Sequence, residues 1–474
     1  MGDEAIVRPK SDQLGIAAAF PIPRSGASGP QAKPLIVLLQ GPVGPFFRML
    51  ASLLRASGYD VLKVNFNAGD WLYASGRGTL NFRGSTDEWT SWFESFIRDR
   101  RPHTIALFGD SRPYHRQAIS VAQRGGIRVL AFEEGYVRPD FVTCEWGGNN
   151  ALSPLHGEQL DRHSIEPPEA FQPVKANLFR EMAGFAVCYY LAAAAGAIFF
   201  RGNTRHRQRD LCSETVLWTR NYYRKLRYYA ANSQLTLDLI ENYEARYFVV
   251  ALQVHDDQQL LRHGRGWTME RLIIESINSF GLLADREHHL VIKVHPMDRG
   301  HKSYRAFVRE RARLANCSGR VHVVDDGSIG LLIRHSLGLV TVNSTSGLLA
   351  LNHNKALIAL GDALYNYPEL LPGDGCSGRG ALDRFWHARP SATPEDVKIF
   401  NAKMRENSLV NGSFYSRGFI AETCQRVLKR IGKGAEVQQM QSVSAELSPS
   451  VQLCYGTRAA RLSLSQADKS ERFP

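Results

Sequence analysis

Metal-site cysteine spacing, a leader-like apolar core and a bilayer-length apolar run are all missing from this 474-residue chain. Its seven cysteines (144, 188, 212, 317, 376, 424 and 454) are odd in number and scattered, with no CxxC pair and no Cys/His metal spacing. Reduced thiols and no bound metal are therefore the expectation. Residues 1–33 mix charge, Pro and Gly, and their one apolar patch, Ile16 to Phe20, is too short for a signal-peptide core. Phe185 to Phe200 is uncharged for 16 residues, short of the ~20 that span a bilayer. No internal repeat is visible. Acids are scarce relative to bases, 46 against 58, for a formal net charge of +12. That balance implies an anionic partner: nucleic acid, a phospholipid surface or a charged small molecule. No nucleic-acid recognition motif accompanies the charge, so nucleic acid is set aside.

What is present is organised around Gly338–Leu349 (GLVTVNSTSGLL), a β-branched run, a hydroxyl-rich turn and an apolar helix start. Backbone N–H groups and the hydroxyls of Ser344, Thr345 and Ser346, next to Asn343, suit a phosphate, although Ser and Thr also cap helices of any kind. Short buried-strand runs alternate with amphipathic segments on both sides of the chain's middle. In the first half they are Pro34–Leu39, Tyr59–Phe66, Thr104–Phe108 and Arg128–Phe132. In the second half they are Tyr247–Val254, Leu290–Val294, Arg320–Val324, Gly338–Val342 and Ala356–Leu360. This pattern predicts an α/β protein with two Rossmann-type domains facing across a cleft, the GT-B arrangement. The expected division is a disordered segment 1–33, a first domain 34–165, a helical segment 166–245, a second domain 246–392, helices crossing back over 393–432, and a disordered tail 433–474.

Chemistry in such sheets sits beyond the C-terminal strand ends. The residues there are Gln40 and Gly41, Asp110 and Arg112, Glu133 and Glu134 followed by Arg138, Gln253 with His255, Asp256 and Asp257, and Lys293 with His295 and Pro296. Two adjacent carboxylates can raise one another's pKa and leave one as an acid near neutrality. A solvated acidic loop is the plain alternative. Asp110 and Arg112 read equally as a structural ion pair or as site residues. In the middle, Arg201–Tyr229 carries eight Lys/Arg against two acids, with Trp218, Tyr222, Tyr223, Tyr228 and Tyr229 interleaved. Beside the apolar Phe185–Phe200 this suits an anionic membrane surface. The alternative is an Ala-rich helix buried between domains.

The phrases LQGPVGPFFRML, VNFNAGD, LFGDSRPYHRQAI, VLAFEEGYVRPD, LQVHDD, IKVHPMDRG, TVNSTSG and VNGSFY, in that order, resemble the capsule polysaccharide proteins of KpsS type and their rhizobial RkpJ relatives. The resemblance runs from about Pro34 to Tyr415. It implies a cytoplasmic glycosyltransferase, peripheral to the inner membrane, that uses CMP-Kdo and no further cofactor. The product would be the β-Kdo linker on a lyso-phosphatidylglycerol lipid, made alongside other capsule synthesis and export proteins. An acidic pair before Gly, a His-Pro and a Ser/Thr pair, shared by bacterial GT-B sialyltransferases, match Glu133-Glu134-Gly135, His295-Pro296 and Ser344-Thr345. The resemblance implies donor contacts at His295, Pro296, Asn343 and Ser344–Ser346, with Lys293, Arg138 and Arg112 as cationic partners. A β-linked donor giving a β-linked product retains configuration, which by double displacement needs a carboxylate nucleophile and an opposed acid/base. Asp257 matches the nucleophile position, with Asp256 in reserve, and Glu133 or Glu134 would be the base. A non-enzymatic assembly factor coupling synthesis to export, and an inverting CMP-nonulosonate transferase, are the competing readings.

Overall fold

In a computed structural model the described residues are 33–149, 152–157, 159–160, 171–174, 178–200, 211–255, 257–372 and 379–432. The terminal segments 1–32 and 433–474, residues 201–210 and Asp256 lie outside them.

The first lobe is a seven-stranded sheet. Its strands are β1 (Leu35–Leu38), β2 (Asp60–Asn65), β3 (Thr79–Asn81), β4 (Thr104–Phe108), β5 (Arg128–Glu134) and β6 (Phe141–Trp146). The second lobe holds β7 (Tyr247–Ala251), β8 (His289–Lys293), β9 (Val321–Val324), β10 (Gly338–Thr341) and β11 (Ala356–Ala359). The last strand, β12 (Leu409–Asn411), returns to the first sheet. The orders are β12-β6-β5-β4-β1-β2-β3 and β11-β10-β7-β8-β9. The second sheet is parallel throughout. The first is parallel from β3 to β5, and β6 and β12 are added antiparallel. This is the expected pair of Rossmann-type lobes.

The strands form where β-branched runs are buried on both faces, as in Val249, Val250, Val291 and Ile292, all fully enclosed. Each sheet reverses direction beside its first strand. In the front lobe β1 is flanked by β2 and β4, and in the back lobe β7 is flanked by β8 and β10. Such reversal points open a crevice at the C-terminal strand ends. The chain crosses back through a helix, Pro394–Asn407, whose Phe400 and Met404 join the back-lobe core. β12 and a helix over 420–432 then pack Val410, Phe414, Ile420 and Val427 into the front-lobe core.

The middle segment, one unit in the sequence reading, divides between the lobes. Helix Leu178–Ala195 lies on the outside of the front lobe, with Tyr189 and Ala193 buried and Phe179, Val187 and Leu191 exposed. Helix Leu211–Glu241 packs on the back lobe, where Asn221 donates to the Pro296 carbonyl (2.8 Å) and Arg224 to the Arg299 carbonyl (2.6 Å). A helix buried between domains is therefore not what forms, because only one stripe of the apolar helix is covered.

Candidate active site

The front-lobe wall is built around Gln40, at the end of β1. Its amide nitrogen donates to Asp70 (3.1 Å) and to the Tyr189 hydroxyl (3.1 Å), and its oxygen accepts from Arg112 (2.8 Å). Gln40 is 6% exposed, so three partners absorb its polar groups where water is excluded. Gly41 lies against the Phe47 ring. The turn after β4 begins at Gly109, whose φ of +76° suits glycine; a Cβ there would stand 3.3 Å from Arg112 Nε and 3.7 Å from Glu133 Oε2. Asp110 and Arg112 do not pair. Asp110 accepts from the Asn149 amide (2.8 Å) and the Ser111 hydroxyl (2.9 Å).

Glu133 and Glu134 are the last two residues of β5 rather than a loop beyond it. Successive strand residues face opposite ways, and the two carboxylates part accordingly. Glu134 accepts from the Tyr415 hydroxyl (2.6 Å), delivered by the crossing-back segment. Glu133 lies on the Gly109–Arg112 side. Burial first, then the neighbouring Glu134, push its carboxyl up to about 7, against the pull of the Glu134 amide and Arg112. Mutual repulsion is thus second to desolvation. Arg138 donates to the Gly135 carbonyl (3.1 Å) and its charge reaches His295 of the other lobe.

In the back lobe, the strand ends of the reversal point are locked together. Gln253 donates to the Asn343 side chain (2.9 Å) and accepts from its amide (3.2 Å), while Asn343 Nδ2 donates to the Gln259 carbonyl (3.1 Å). Asn343 is therefore used by the scaffold. The hydroxyl turn is tied by Ser346 donating to Ser344 Oγ (2.9 Å) and by Tyr365 donating to the Ser344 carbonyl (2.7 Å). Thr345 is exposed and makes no side-chain cap bond. With Gln259, Asn343, Asp362 and Tyr365 it lines a narrow pocket. Lys293 is 3% exposed and donates to the Val294 carbonyl (3.0 Å); burial lowers its pKa to about 8. The charges that reach it there are those of Asp326, Arg299 and Asp325.

Asp257 caps helix Gln258–His263, accepting from the Gln259 amide (2.9 Å). His295 Nδ1 accepts from the Met297 amide (3.2 Å), and burial, then Lys293, hold its pKa below the usual range; Pro296 is exposed. His255 is paired with Asp298 (2.5 Å), a fully buried carboxylate that also accepts from Tyr304 (3.2 Å).

The two reversal points meet. Gln259 Nε2 donates to Ser111 Oγ (3.0 Å) and approaches Asp110 (3.4 Å). Arg262, on the same short helix, faces Arg116 and Asp110. Glu133 beside Gly109, the Ser111 turn, Gln259 and Asp257 thus form one contiguous band across the cleft. Gln259 and Tyr189 belong to this constellation and were not singled out by the sequence reading; Asp70, Asp298 and Tyr415 stand in its phrases VNFNAGD, IKVHPMDRG and VNGSFY without an assigned role. Among the described residues no three His, Cys, Asp or Glu side chains gather as a metal-holding group.

The fold is thus that of a two-lobed α/β protein of GT-B type, with acidic residues of both lobes at the C-terminal strand ends. Residues 103–415 match the family described as "Capsule polysaccharide biosynthesis protein", and the chain belongs to that family. It is 34% identical over 381 residues to the Escherichia coli capsule polysaccharide export protein KpsS, covering 80% of this chain and 96% of that one. It is also 34% identical over 399 residues to the Neisseria meningitidis capsule polysaccharide modification protein LipB, covering 81% and 92%. Among solved structures it is similar to the β-Kdo 2,7 transferase of Thermosulfurimonas dismutans KpsC, at 12% identity and a TM-score of 0.38 over 83% of this chain and 98% of that one.

Proposed function

We infer that this capsule polysaccharide protein is a glycosyltransferase that moves Kdo, or a closely related nonulosonic acid, from its CMP donor to a lyso-phospholipid-type acceptor. The observation that carries the reading is the band joining Glu133 to Asp257 across the cleft. A carboxyl held near 7 is partly ionised at neutral pH and suits a general base for an acceptor hydroxyl. Arg112, Arg138 and the hydroxyl turn offer charge and hydrogen bonds to an anionic donor, in keeping with the basic balance of the chain. No cofactor beyond the donor enters the scheme. In the retaining form, Asp257 attacks the anomeric carbon as CMP departs, and Glu133 then deprotonates the acceptor hydroxyl that displaces the carboxylate.

One observation favours a second form. Asp257 already caps a helix, and a carboxylate fixed as a cap would leave a single inverting displacement with Glu133 as base. The anomeric configuration of the product separates the two. The membrane side of the reading draws on the exposed apolar face of helix Leu178–Ala195, continued by Ile198 (80% exposed) and Phe199 (63%), with Trp71 and Leu72 beside it. That helix meets the length and composition of a membrane span, yet one stripe is packed on the front lobe. An interfacial position at an anionic inner membrane is the reading this supports.

The test is incubation of purified protein with CMP-Kdo and a lyso-phosphatidylglycerol analogue. A mass gain of one or more Kdo residues on the lipid is expected. Binding of capsule-export partners without any turnover would replace the enzyme with an assembly factor.

A further inference from the structure

The cleft contains two histidines whose surroundings give them opposite proton chemistry. His295 accepts a hydrogen bond at Nδ1 from the Met297 amide, so its proton is on Nε2 and the ring is neutral. Burial and Lys293 oppose a second proton. A neutral imidazole can donate a hydrogen bond to an oxyanion but is a very poor acid. His255 is built the other way. Its Nδ1 meets Asp298 at 2.5 Å, and a carboxylate only accepts, so Nδ1 carries hydrogen. Asp298 is fully buried and is itself fixed by Tyr304. An orienting carboxylate stabilises the imidazolium and leaves Nε2 as the working nitrogen. His255 remains 23% exposed, and among the described residues nothing is hydrogen-bonded to Nε2.

The groups facing His255 come from every neighbouring element. They are Asp298 and Tyr304, the His301 ring at 5.3 Å, the Glu270–Lys302 ion pair from the adjoining helix and loop, and Asp257 two residues along. Glu270 and Lys302 are engaged with each other, so Asp298 is the carboxylate that meets the ring directly.

We propose that His255, held by Asp298, is the acid that protonates the departing phosphate oxygen of the nucleotide-activated sugar. This rests on the cleft being a glycosyl-transfer site. The bond between the anomeric carbon and the phosphate oxygen breaks, and its electron pair stays on that oxygen. The Nε2 proton of His255 moves onto it, and the carbon gains a bond to Asp257 or, in the inverting form, to the acceptor oxygen. The ring is left neutral and still bound to Asp298 through Nδ1–H. It is reprotonated from solvent once the nucleoside monophosphate leaves.

The experiment is titration of the full-length protein with CMP, UDP and inorganic phosphate from pH 5.5 to 8.5, with histidine imidazole signals followed by NMR, for wild type, His255→Gln and Asp298→Asn. Wild-type CMP affinity should fall as pH rises through the imidazolium titration, and one imidazole signal should move on binding. His255→Gln should lose that signal, bind CMP about tenfold more weakly at low pH and meet wild type at high pH. It should also lose about 10²-fold in kcat with little change in KM, in line with the loss of an acid catalyst. Asp298→Asn, which takes the orienting carboxylate from the ring, should lower kcat with little change in KM. If that variant fails to fold, His255→Gln alone decides. A His255→Gln profile identical to wild type overturns the proposal. Wild-type preference for UDP with the same His255 dependence would refute the cytidine donor and support the acid. Binding of none of the three probes by wild type would overturn both.

Discussion

Replacing Glu133 by glutamine separates burial from catalysis in one variant. Glutamine keeps the size of the side chain and can still accept from the Glu134 amide, a 3.2 Å bond in the native protein, but it cannot ionise. The Glu133 carboxyl rises from its ordinary 4.5 to about 7 through burial and then through Glu134. Between those values the folded protein holds a proton that the unfolded chain has released. Stability contributed by this position is therefore intact at low pH, is lost as pH rises from 4.5 toward about 7, and stays lost above. At ~1.4 kcal/mol per pKa unit the loss is about 3 kcal/mol. Glu133→Gln escapes it. Thermal unfolding near pH 8.5 should show the variant's front lobe melting on the order of 5–10 °C above wild type. Near pH 4.5 the two should nearly coincide. Transfer runs the other way: wild-type activity rises with pH through about 7 as the base ionises, and the variant loses ~10²-fold or more. A melting difference equal at both pH values would refute the buried-carboxyl argument. Full transfer by the variant would remove Glu133 from the chemistry.

Asp257→Asn should fold normally, because asparagine caps helices as well as aspartate does, yet should lose transfer; intact-protein mass spectrometry with donor alone should show a glycosyl adduct in wild type only. Tyr415→Phe removes the hydroxyl that binds Glu134 at 2.6 Å and should cost about 1.5–3 kcal/mol, the range for a bond to a charged group, seen in urea unfolding. Gly347→Ala would place a Cβ 2.0 Å from the Tyr365 hydroxyl. It should cost about 1–3 kcal/mol by overpacking and weaken CMP binding by calorimetry through the displaced Ser344 turn. Leu191→Glu with Ile198→Glu should abolish flotation with anionic liposomes while leaving the melting temperature unchanged, since both side chains are exposed; undiminished flotation would end the interfacial reading.

All nine strands expected from apolar runs are present within a few residues of their expected bounds, because buried parallel strands need uninterrupted β-branched sequence. The three that were not expected lack that signal. β3 and β12 have three residues each and owe their existence to neighbours already in place. β6 is interrupted by Glu145, a fully buried carboxylate made tolerable by Tyr136 (2.8 Å), Asn149 (2.8 Å), Ser153 and Ser408 (2.5 Å). Ser408 lies 263 residues away in sequence, so no local pattern announces the compensation. The candidate site divides in the same way. Strand-end positions were legible; the partners that choose between neighbours were not. Tyr415, which engages Glu134 and leaves Glu133 on the cleft side, is 281 residues distant.

The contacts that close the cleft also bear on how a donor enters. Gln259 bonds one hydroxyl at 3.0 Å and approaches one carboxylate at 3.4 Å, each worth about 0.5–3 kcal/mol net. The lobes are held more firmly where Tyr136, Leu155 and Leu160 of the front half join the back-lobe core, and where helix Pro394–Asn407, seated in that core, runs on into β12 of the front sheet. Weak polar contact at the reversal points and an apolar seam elsewhere would let the lobes part at the Gln259–Ser111 edge. A phosphate and a sugar carboxylate bound there would meet Arg262 and Arg116, whose charges oppose one another across the gap. An anion there would add to the Gln259–Ser111 contact that already joins the lobes. Burial already keeps water from Glu133 and pushes its carboxyl up to about 7; a seated donor would extend that exclusion over the reacting carbon and protect the activated sugar from hydrolysis.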